Sequence, residues 1–384
     1  MSGNSYVNLL PGDTAPWFAQ RSTSNPRFVF DTAAGRYLVL CFLASGSDAH
    51  AKAAVAAARS RPRFFDDVNA SFFMVSSDPA DEAQHRLSEF LPGHRVFWDF
   101  DGTIGSRYGA LPRDIQPGKA NVAARRLWVV LDPTLRVMNV IPFTQDQSDI
   151  PAVLSYIDNL PPPRSFAGFE LQAPILVLPQ VFEPELCQRL IGLYEAHGGT
   201  ESGFMREING KTVAVHDHAH KRRKDFDIED ETLIKELQGR FTRRVVPQIL
   251  KTHQFKVTRM ERYIVSCYAA EDEAHFRAHR DNTTKGTAHR RFAVSVNLND
   301  EFDGGEVSFP EYGPRSFKAP PGGAVVFSCS LLHAVSKVTR GRRYAFLPFL
   351  YDDEAAKIRE QNNAYLGEGV GAYKSAEAEA RDMK

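Results

Sequence analysis

Three successive prolines, Pro161 to Pro163, divide this 384-residue chain into two parts with different hydrophobic patterns. Prolines lack the amide hydrogen that a helix or a central strand needs and hold the backbone extended, which favours a connector. The chain is also longer than the roughly 250 to 300 residues at which single cores stop growing. We therefore predict a domain at 1–160, a proline-rich linker at 161–172, a second domain at 173–352 and a charged tail at 353–384.

Before the prolines, short apolar runs alternate with helical patterns. Strands are predicted at 37–44, 71–76, 127–131 and 138–141, and helical segments at 51–58 and 83–90. Alternation of this kind predicts an α/β domain.

After the prolines, helical patterns give way to strands. Helices are predicted at 183–197 and, as one or two segments, at 229–250, followed by strands at 262–267, 291–298, 305–309, 324–328 and 344–350. Short strands separated by turns such as Asp303-Gly-Gly305 predict a barrel or jelly roll.

A His-x-Asp pair, His279 and Asp281, lies in this strand-rich part, with His333 about fifty residues later and Arg343 ten residues beyond that. In a strand, residues two apart face the same side, so both members of the pair can reach one ion while Arg280 projects away. Two imidazoles and one carboxylate leave positions open on a ferrous ion for an oxo-acid and dioxygen. A guanidinium can take a carboxylate through two parallel hydrogen bonds. The pattern predicts a non-haem iron oxygenase.

Other histidines nearby are not predicted as ligands. His275 and His289 share neither the alternation nor the spacing, and we expect them to shape the substrate pocket or to lie on loops. Residues 216–225 hold three histidines and four cations but no Cys-x-x-Cys partner, which favours a solvated loop over a second metal site or a nucleic-acid site. A substrate-binding rim at Lys221 to Lys224 stays open.

The charge balance bears on location and partners. With 47 basic and 47 acidic residues, nothing global attracts nucleic acid or an anionic membrane. The first residues lack the features of a signal peptide, and no stretch approaches the roughly 18 apolar residues of a membrane helix. We expect a soluble, cytoplasmic protein that acts on a small molecule or on a peptide or protein.

The stretch from about Ala173 to Asp352 resembles the 2-oxoglutarate and iron(II)-dependent dioxygenases of the prolyl 4-hydroxylase type. The segments that carry the resemblance are 268–281, 291–299, 303–309 and 333–345. It implies a double-stranded β-helix (jelly roll) with flanking helices, in which the iron ligands are His279, Asp281 and His333. Arg343 would be the partner of the distal carboxylate of 2-oxoglutarate.

The same resemblance implies two further cosubstrate residues, Tyr268 and Asn297. Tyr268 lies one residue further from the His-x-Asp pair than usual, and Asn297 stands where animal oxygen-sensing relatives carry a tyrosine. For Asn297, a cosubstrate contact and a strand residue satisfied by its neighbours are both open. The implied reaction uses Fe(2+), O2 and 2-oxoglutarate, with ascorbate as an optional reductant. It hydroxylates a substrate, with a prolyl or other amino-acid residue as first candidate, and releases succinate and carbon dioxide.

Residues 6–160 are similar to the peroxiredoxins, which have a thioredoxin-like α/β fold, in the segments 10–18, 35–42 and 127–133. Those enzymes place a nucleophilic cysteine at the start of the helix after the first central strand. Residues 44–53 hold no cysteine here, and Cys41 lies earlier, within the strand. We expect a non-catalytic domain that recruits a protein partner, assists homodimerisation or covers the oxygenase. A thiol peroxidase and a non-catalytic binding or redox-sensing protein are the alternatives for the whole chain.

Overall fold

The computed structural model describes residues 6–115, 123–368 and 370–373. The chain divides into two compact units, which are Met1–Gln172 with Pro310–Pro314, and Ala173–Phe309 with Arg315–Lys384. Residues 161–172, predicted as a linker, lie in the first unit and include one 3-10 turn, Pro163–Ser165.

The first unit is built on a five-stranded sheet with the spatial order β3-β2-β1-β4-β5. Its strands are β1 (Tyr37–Ala44), β2 (Ala70–Ser76), β3 (His94–Trp98), β4 (Leu127–Leu131) and β5 (Val137–Pro142), and its helices are α1 (Ala49–Arg59), α2 (Pro79–Ala83), α3 (Thr103–Tyr108) and α4 (Asp149–Asp158). Strands β1, β2 and β3 run parallel, whereas β4 and β5 are antiparallel to their neighbours. A two-residue ribbon, Ala19–Gln20 with Phe28–Val29, precedes the sheet.

Burial explains why the central strands are continuous apolar runs. Almost every residue of β1, β2 and β4 is buried, as expected for strands covered on both faces. The predicted helix at 83–90 is wrong, because α2 begins at Pro79 after the capping side chain of Asp78 and ends at Ala83. His85 then takes a left-handed backbone conformation that a helix cannot contain.

The second unit contains two antiparallel sheets and a separate hairpin. The strands are β6 (Leu176–Leu178), β7 (Thr200–Glu201), β8 (Phe204–Ile208), β9 (Lys211–Val215), β10 (Lys221–Arg222), β11 (Lys224–Asp227), β12 (Arg259–Glu261), β13 (Ile264–Ala269), β14 (His275–His279), β15 (Phe292–Asn297), β16 (Phe302–Asp303), β17 (Val307–Ser308), β18 (Ser316–Phe317), β19 (Ala324–Ser328), β20 (His333–Val335), β21 (Arg340–Phe346) and β22 (Phe349–Tyr351). The smaller sheet has the order β10-β14-β20-β17-β18. The larger has the order β12-β22-β15-β21-β13-β11-β7, with β19 beside β15, β6 beside β19 and β16 beside β21, while β8 and β9 form the hairpin.

Helices cover the larger sheet. The helices of this unit are α5 (Pro184–His197), α6 (Glu231–Arg244), α7 (Val246–His253) and α8 (Asp353–Gln361). Leu190 of α5 and Phe241 of α6 share one buried apolar core with Val265 and Phe346 of the sheet. Two antiparallel sheets are compatible with the double-stranded β-helix, which stays a prediction.

The predicted strand at 344–350 is two strands, β21 and β22. Pro348 lies in the gap between them, and a proline cannot donate the hydrogen bond that a continuous ladder needs. The first of them begins at Arg340, four residues earlier than predicted, so Arg343 lies in the middle of β21.

The predicted tail begins with α8, which is followed by the 3-10 turn Asn362–Tyr365, whereas 369 and 374–384 lie outside the described residues. Within the described part of the chain, no helix is long and apolar enough to cross a membrane.

Candidate metal centre

Two neighbouring strands bring the predicted histidines together. His279 ends β14 and His333 begins β20, and the two are direct partners in the register of this antiparallel pair. Their ring centroids are 4.2 Å apart. Asp281 lies beyond the end of β14, where its amide donates a 2.9 Å hydrogen bond to the carbonyl of Cys329. The expectation that one strand holds both residues of the His-x-Asp pair is therefore wrong, and a turn aims the carboxylate instead.

The three side chains converge on one point. Oδ1 of Asp281 is 3.5 Å from Nε2 of His279, and Oδ2 is 3.4 Å from Nε2 of His333. One ligand atom from each residue lies within 4.8 Å of the others, which suits a shared metal ion. Two imidazoles and a carboxylate are the donor set that suits ferrous iron.

Backbone carbonyls orient both imidazoles. Nδ1 of His279 is 2.7 Å from the carbonyl oxygen of Arg277, and Nδ1 of His333 is 3.0 Å from that of Leu331. When Nδ1–H donates to these carbonyls, each Nε2 keeps its lone pair for a metal. The residues present therefore fit the ion.

The protonation states of His333 and Asp281 also favour metal binding. Burial, with help from His279, lowers the pKa of His333 to about 4, so this imidazole is neutral near pH 7. Burial alone would raise the pKa of Asp281, but His333 and His279 outweigh it and hold the pKa below its usual range. Metal ligands must be deprotonated, and these two groups already are.

Arg280 projects away from the three ligands, yet it is buried. Its guanidinium donates to the carbonyl of Ser330, and it does not line the cleft described below. It ties the turn that carries Asp281 to the segment before His333.

A cleft of about 490 Å³ opens onto the ligands, and we call it the ligand cleft. It is lined by Arg223, Arg262, Tyr268, Phe276, His279, Asp281, Ala293, Val294, Ser295, Val307, Phe327, His333, Val335, Arg343, Leu347, Pro348 and Phe349.

Arg343 is buried in this cleft with part of its hydrogen-bonding capacity unused. Its Nε donates to Oδ1 of Asn297 at 3.0 Å and its Nη2 to Oγ of Ser295 at 2.6 Å, while the buried Nη1 has no hydrogen-bond partner. Burial lowers the pKa of Arg343 to about 10, which leaves it charged at neutral pH. An unpartnered buried donor is costly, so a carboxylate bound here would relieve that cost.

The two further cosubstrate residues take different positions. Tyr268 lines the cleft opposite Arg343 in the pairing of β13 with β21, and the guanidinium carbon of Arg343 is 5.3 Å from its ring centroid. Asn297 does not line the cleft, because its amide donates to the carbonyl of Ala319 at 2.8 Å while its oxygen accepts from Arg343. The geometry therefore favours the second alternative for Asn297, which is a strand residue that positions Arg343 and does not itself contact the cosubstrate.

The prediction of a solvated loop at 216–225 is wrong for its second half. Residues 221–227 contribute strands β10 and β11, and Lys221, Arg223 and Asp225 are buried. These three residues alternate along the chain, as residues on one face of a strand do. The pattern was not recognised in the sequence because the residues are charged. Arg223 belongs to the segment 221–224, for which a substrate-binding rim was left open, and it lines the cleft. Arg262 and Ser295 are cleft residues that sequence reasoning missed.

The other histidines lie away from the ligand atoms. His275 contacts the carbonyl of Glu273, and His289 is buried against Glu261 at 3.0 Å, and neither lines the ligand cleft. His218 contacts Glu201 at the surface. The ring of His220 is 6.4 Å from that of His279, and it is not among the residues that line the cleft.

Comparison with known sequences assigns a domain to the second unit. Residues 263–351 match the family model of the 2OG-Fe(II) oxygenase superfamily. The second unit therefore contains a 2OG-Fe(II) oxygenase domain, and the resemblance predicted for the C-terminal half is confirmed.

Curated relatives match over a short segment. PKHD-type hydroxylases from Cupriavidus metallidurans (strain CH34) and Gluconobacter oxydans (strain 621H) are each 41% identical over 80 residues, which covers 18% of this chain and 35% of each relative. The chain thus spans about a third of the length of the curated relatives it matches.

Two solved structures are similar to parts of the chain. A prolyl hydroxylase from Trichoplax adhaerens, in complex with a hypoxia-inducible-factor peptide, aligns with 16% identity and a TM-score of 0.36, over 48% of this chain and 86% of that one. Peroxiredoxin Q from Xanthomonas campestris aligns with 17% identity and a TM-score of 0.30, over 37% of this chain and 89% of that one. Each alignment covers less than half of this chain.

Proposed function

We propose that this chain is an iron(II)- and 2-oxoglutarate-dependent hydroxylase whose primary substrate enters the ligand cleft. The observation that carries the proposal is the meeting of two separate requirements in one cleft. Nitrogens of His279 and His333 and a carboxylate oxygen of Asp281 lie within 4.8 Å of one another, and Arg343 of the same cleft has an unpartnered buried donor.

The chain's residues divide the work between holding the metal and holding the cosubstrate. His279, Asp281 and His333 would supply three ligands and leave the remaining positions open for an oxo-acid and dioxygen. With iron bound, the chemistry supplied there is activation of dioxygen, coupled to the oxidative decarboxylation of 2-oxoglutarate to succinate and carbon dioxide. Arg343 would donate to the distal carboxylate of 2-oxoglutarate.

Aromatic walls keep water from the ligands. The ring of Phe276 stacks on that of His279 with a centroid distance of 3.5 Å, and the ring of Phe327 is 4.6 Å from that of His333. Val307 and Val335 also line the cleft. A dry site strengthens the hydrogen bonds that hold a substrate and protects reactive species from water.

The first unit supports a non-catalytic role. Cys41 lies inside β1 with no exposed surface, and burial raises the pKa of its thiol well above the usual range. A reactive cysteine needs a lowered pKa and access to solvent. We propose that this unit binds a protein partner or a second copy of the chain.

Succinate formation tests the proposal. The chain, supplied with ferrous iron and 2-oxoglutarate, is expected to release succinate, and His279→Ala is expected to abolish the release. His275→Ala is the matched control, because His275 lies on the same strand but outside the ligand cleft. A search of treated lysate for products one oxygen atom heavier identifies the substrate, for which prolyl and other amino-acid residues are the first candidates. The absence both of iron-dependent succinate and of 2-oxoglutarate binding would overturn the proposal.

A further inference from the structure

The ligand cleft holds a second cationic group beside the one that 2-oxoglutarate needs. The guanidinium carbons of Arg343 and Arg223 lie 5.3 and 5.6 Å from the ring centroid of Tyr268. Nη1 of Arg223 donates to the Tyr268 hydroxyl at 3.3 Å. Two guanidinium groups therefore approach one buried ring.

Arg223 and Arg262, which we call the arginine pair, share a single carboxylate. Oδ2 of Asp225 is 2.7 Å from Nη2 of Arg223 and 3.5 Å from Nη2 of Arg262, while Oδ1 accepts from the hydroxyl of Ser266 at 2.6 Å. Nε of Arg223 is buried without a hydrogen-bond partner. The group thus carries one uncompensated positive charge and one unused donor, an arrangement that is costly unless an anion completes it.

The backbone at Arg262 supports a dedicated role. Arg262 takes a left-handed conformation (φ 62°) immediately after β12, which is unfavourable for a non-glycine residue. Its guanidinium carbon lies 5.3 Å from the ring centroid of Phe349, another cleft residue, and its side chain is 30% exposed. Such conformations are concentrated at binding and catalytic sites.

Bound iron and 2-oxoglutarate would leave the positive charge of the arginine pair uncompensated. With both bound, Asp281 and one carboxylate of the oxo-acid would balance the two charges of a ferrous ion, and the distal carboxylate would balance Arg343. Nearby Lys221 brings no carboxylate to the pair, because it donates to the hydroxyl of Ser202 and the carbonyl of Gly203, which are neutral acceptors. Arg223 and Arg262 therefore share only the one negative charge of Asp225, and at least one positive charge remains at the arginine pair.

We propose that the primary substrate is a small monocarboxylate with an aliphatic body, whose carboxylate binds the arginine pair. The inference rests on the proposed function and names its substrate class. Leu347, Pro348 and Phe349 supply an apolar wall. Asp281 is the sole carboxylate among the described residues that line the cleft, and it is a predicted metal ligand, so no other carboxylate of the cleft is there to pair with a free ammonium group. An unsubstituted amino acid is therefore a poorer fit than a simple or N-acylated acid.

Calorimetry on the full chain, loaded anaerobically with ferrous iron and saturating 2-oxoglutarate, tests the inference. The probes are 4-methylpentanoate and cyclohexanecarboxylate, each compared with its primary amide, which has a similar shape but no charge. At least one acid is expected to bind about tenfold more tightly than its amide, as hydrogen bonds to a charged group allow. Arg262→Gln is expected to remove this difference, and Arg262→Lys to restore part of it.

Arg342→Gln is the control, because Arg342 is a half-exposed arginine outside the cleft. It should leave the difference between acid and amide intact. Arg223→Lys provides a second variant that keeps a charge beside Asp225. Equal binding of acids and amides, competition between the acids and 2-oxoglutarate, or an equal loss in Arg342→Gln would overturn the inference alone. Failure of the loaded chain to bind 2-oxoglutarate would overturn the proposed function as well.

Discussion

Among single residues, Arg343 has the environment that most clearly ties structure to ligand. It is buried, its Nε and Nη2 donate to the neutral side chains of Asn297 and Ser295, and its third nitrogen, Nη1, has no hydrogen-bond partner. Truncating one partner of a buried, hydrogen-bonded charge pair costs about 2 to 5 kcal/mol. We expect Arg343→Gln to weaken 2-oxoglutarate binding by about 100-fold, measured by calorimetry on the metal-loaded chain. Arg342→Gln, the adjacent surface variant, should bind normally, and equal effects of the two variants would contradict the assignment.

Glu261 organises a second buried cluster, whose residues do not line the ligand cleft. Its carboxylate contacts His289 at 3.0 Å, Arg290 at 2.8 Å and Arg359 at 2.7 Å. Removing one partner of a buried ion pair costs about 3 to 5 kcal/mol. We expect Glu261→Gln to lower the free energy of unfolding by about that amount in urea, whereas Glu354→Gln, which affects an exposed pair with Lys357, should have little effect. Equal stability of the two variants would show that the cluster contributes nothing.

The same cluster predicts a dependence of stability on pH. Burial alone would raise the pKa of Glu261, but Arg290, His289 and Arg359 outweigh it and hold the pKa well below its usual range. A carboxyl group with a lowered pKa in the folded state contributes its full stability above its unfolded pKa, about 4.3, and loses it as the pH falls below that value. The wild-type chain should therefore lose more stability than Glu261→Gln between pH 5 and pH 3, as measured by urea unfolding.

Residue types could be predicted better than residue contacts. The order His279, Asp281, His333 and Arg343 was sufficient to select residues that the structure brings together, because few side chains suit a metal and a carboxylate. The hydrogen bond from Arg343 to Asn297 and the approach of Arg223 to Tyr268 join strands 45 or more residues apart in sequence. No sequence spacing predicts these two contacts.

At the scale of elements, the turn after β16 fixes the strands near the site. Gly304 adopts φ +74°, and a Cβ there would lie 2.0 Å from the carbonyl oxygen of Lys337. Gly210, in the hairpin between β8 and β9, has nearly the same φ, +73°, but open space around it. We expect Gly210→Ala to cost roughly 1 to 2 kcal/mol from backbone conformation alone. Gly304→Ala should cost about 1 to 3 kcal/mol more because the backbone must move, and equal losses of stability in urea would contradict the close approach.

Strands were predicted correctly where nearly every residue is buried and apolar, and the prediction failed where polar or charged residues interrupt that pattern. The runs 37–44 and 324–328 are strands because nearly every residue is buried. His94–Trp98 was missed, since His94 and Arg95 interrupt its apolar pattern. Strands β10 and β11 were missed because their buried residues are charged, and only their tertiary partners make that burial tolerable.

At the scale of the whole chain, the thiols separate the proposed oxygenase from a thiol peroxidase. All four cysteines are buried, and burial raises the pKa of Cys41 and Cys329 well above the usual range. We expect a thiol-specific disulfide reagent to react slowly with the native chain and to find four thiols after denaturation in guanidinium. Cys41→Ala should consume peroxide no more slowly than the wild type. Rapid labelling of a thiol in the native chain would revive the peroxidase alternative.

The division into two units follows from chain length and from the prolines, whereas the role of the first unit does not. Its sheet and buried core explain why it folds, and two of the three segments that resemble peroxiredoxins, 35–42 and 127–133, contribute strands to that sheet. Fold does not fix function, which depends on the residues of a site. The chemistry that we propose for the chain therefore depends on the second unit alone.

An anaerobic titration tests the central claim most directly, because it separates metal binding from cosubstrate binding. The wild-type chain should bind one ferrous ion and then one 2-oxoglutarate per loaded chain, while His279→Ala should bind neither tightly and His275→Ala should behave as wild type. Undiminished iron binding by His279→Ala, or equal affinity for 2-oxoglutarate with and without the ion, would contradict the account.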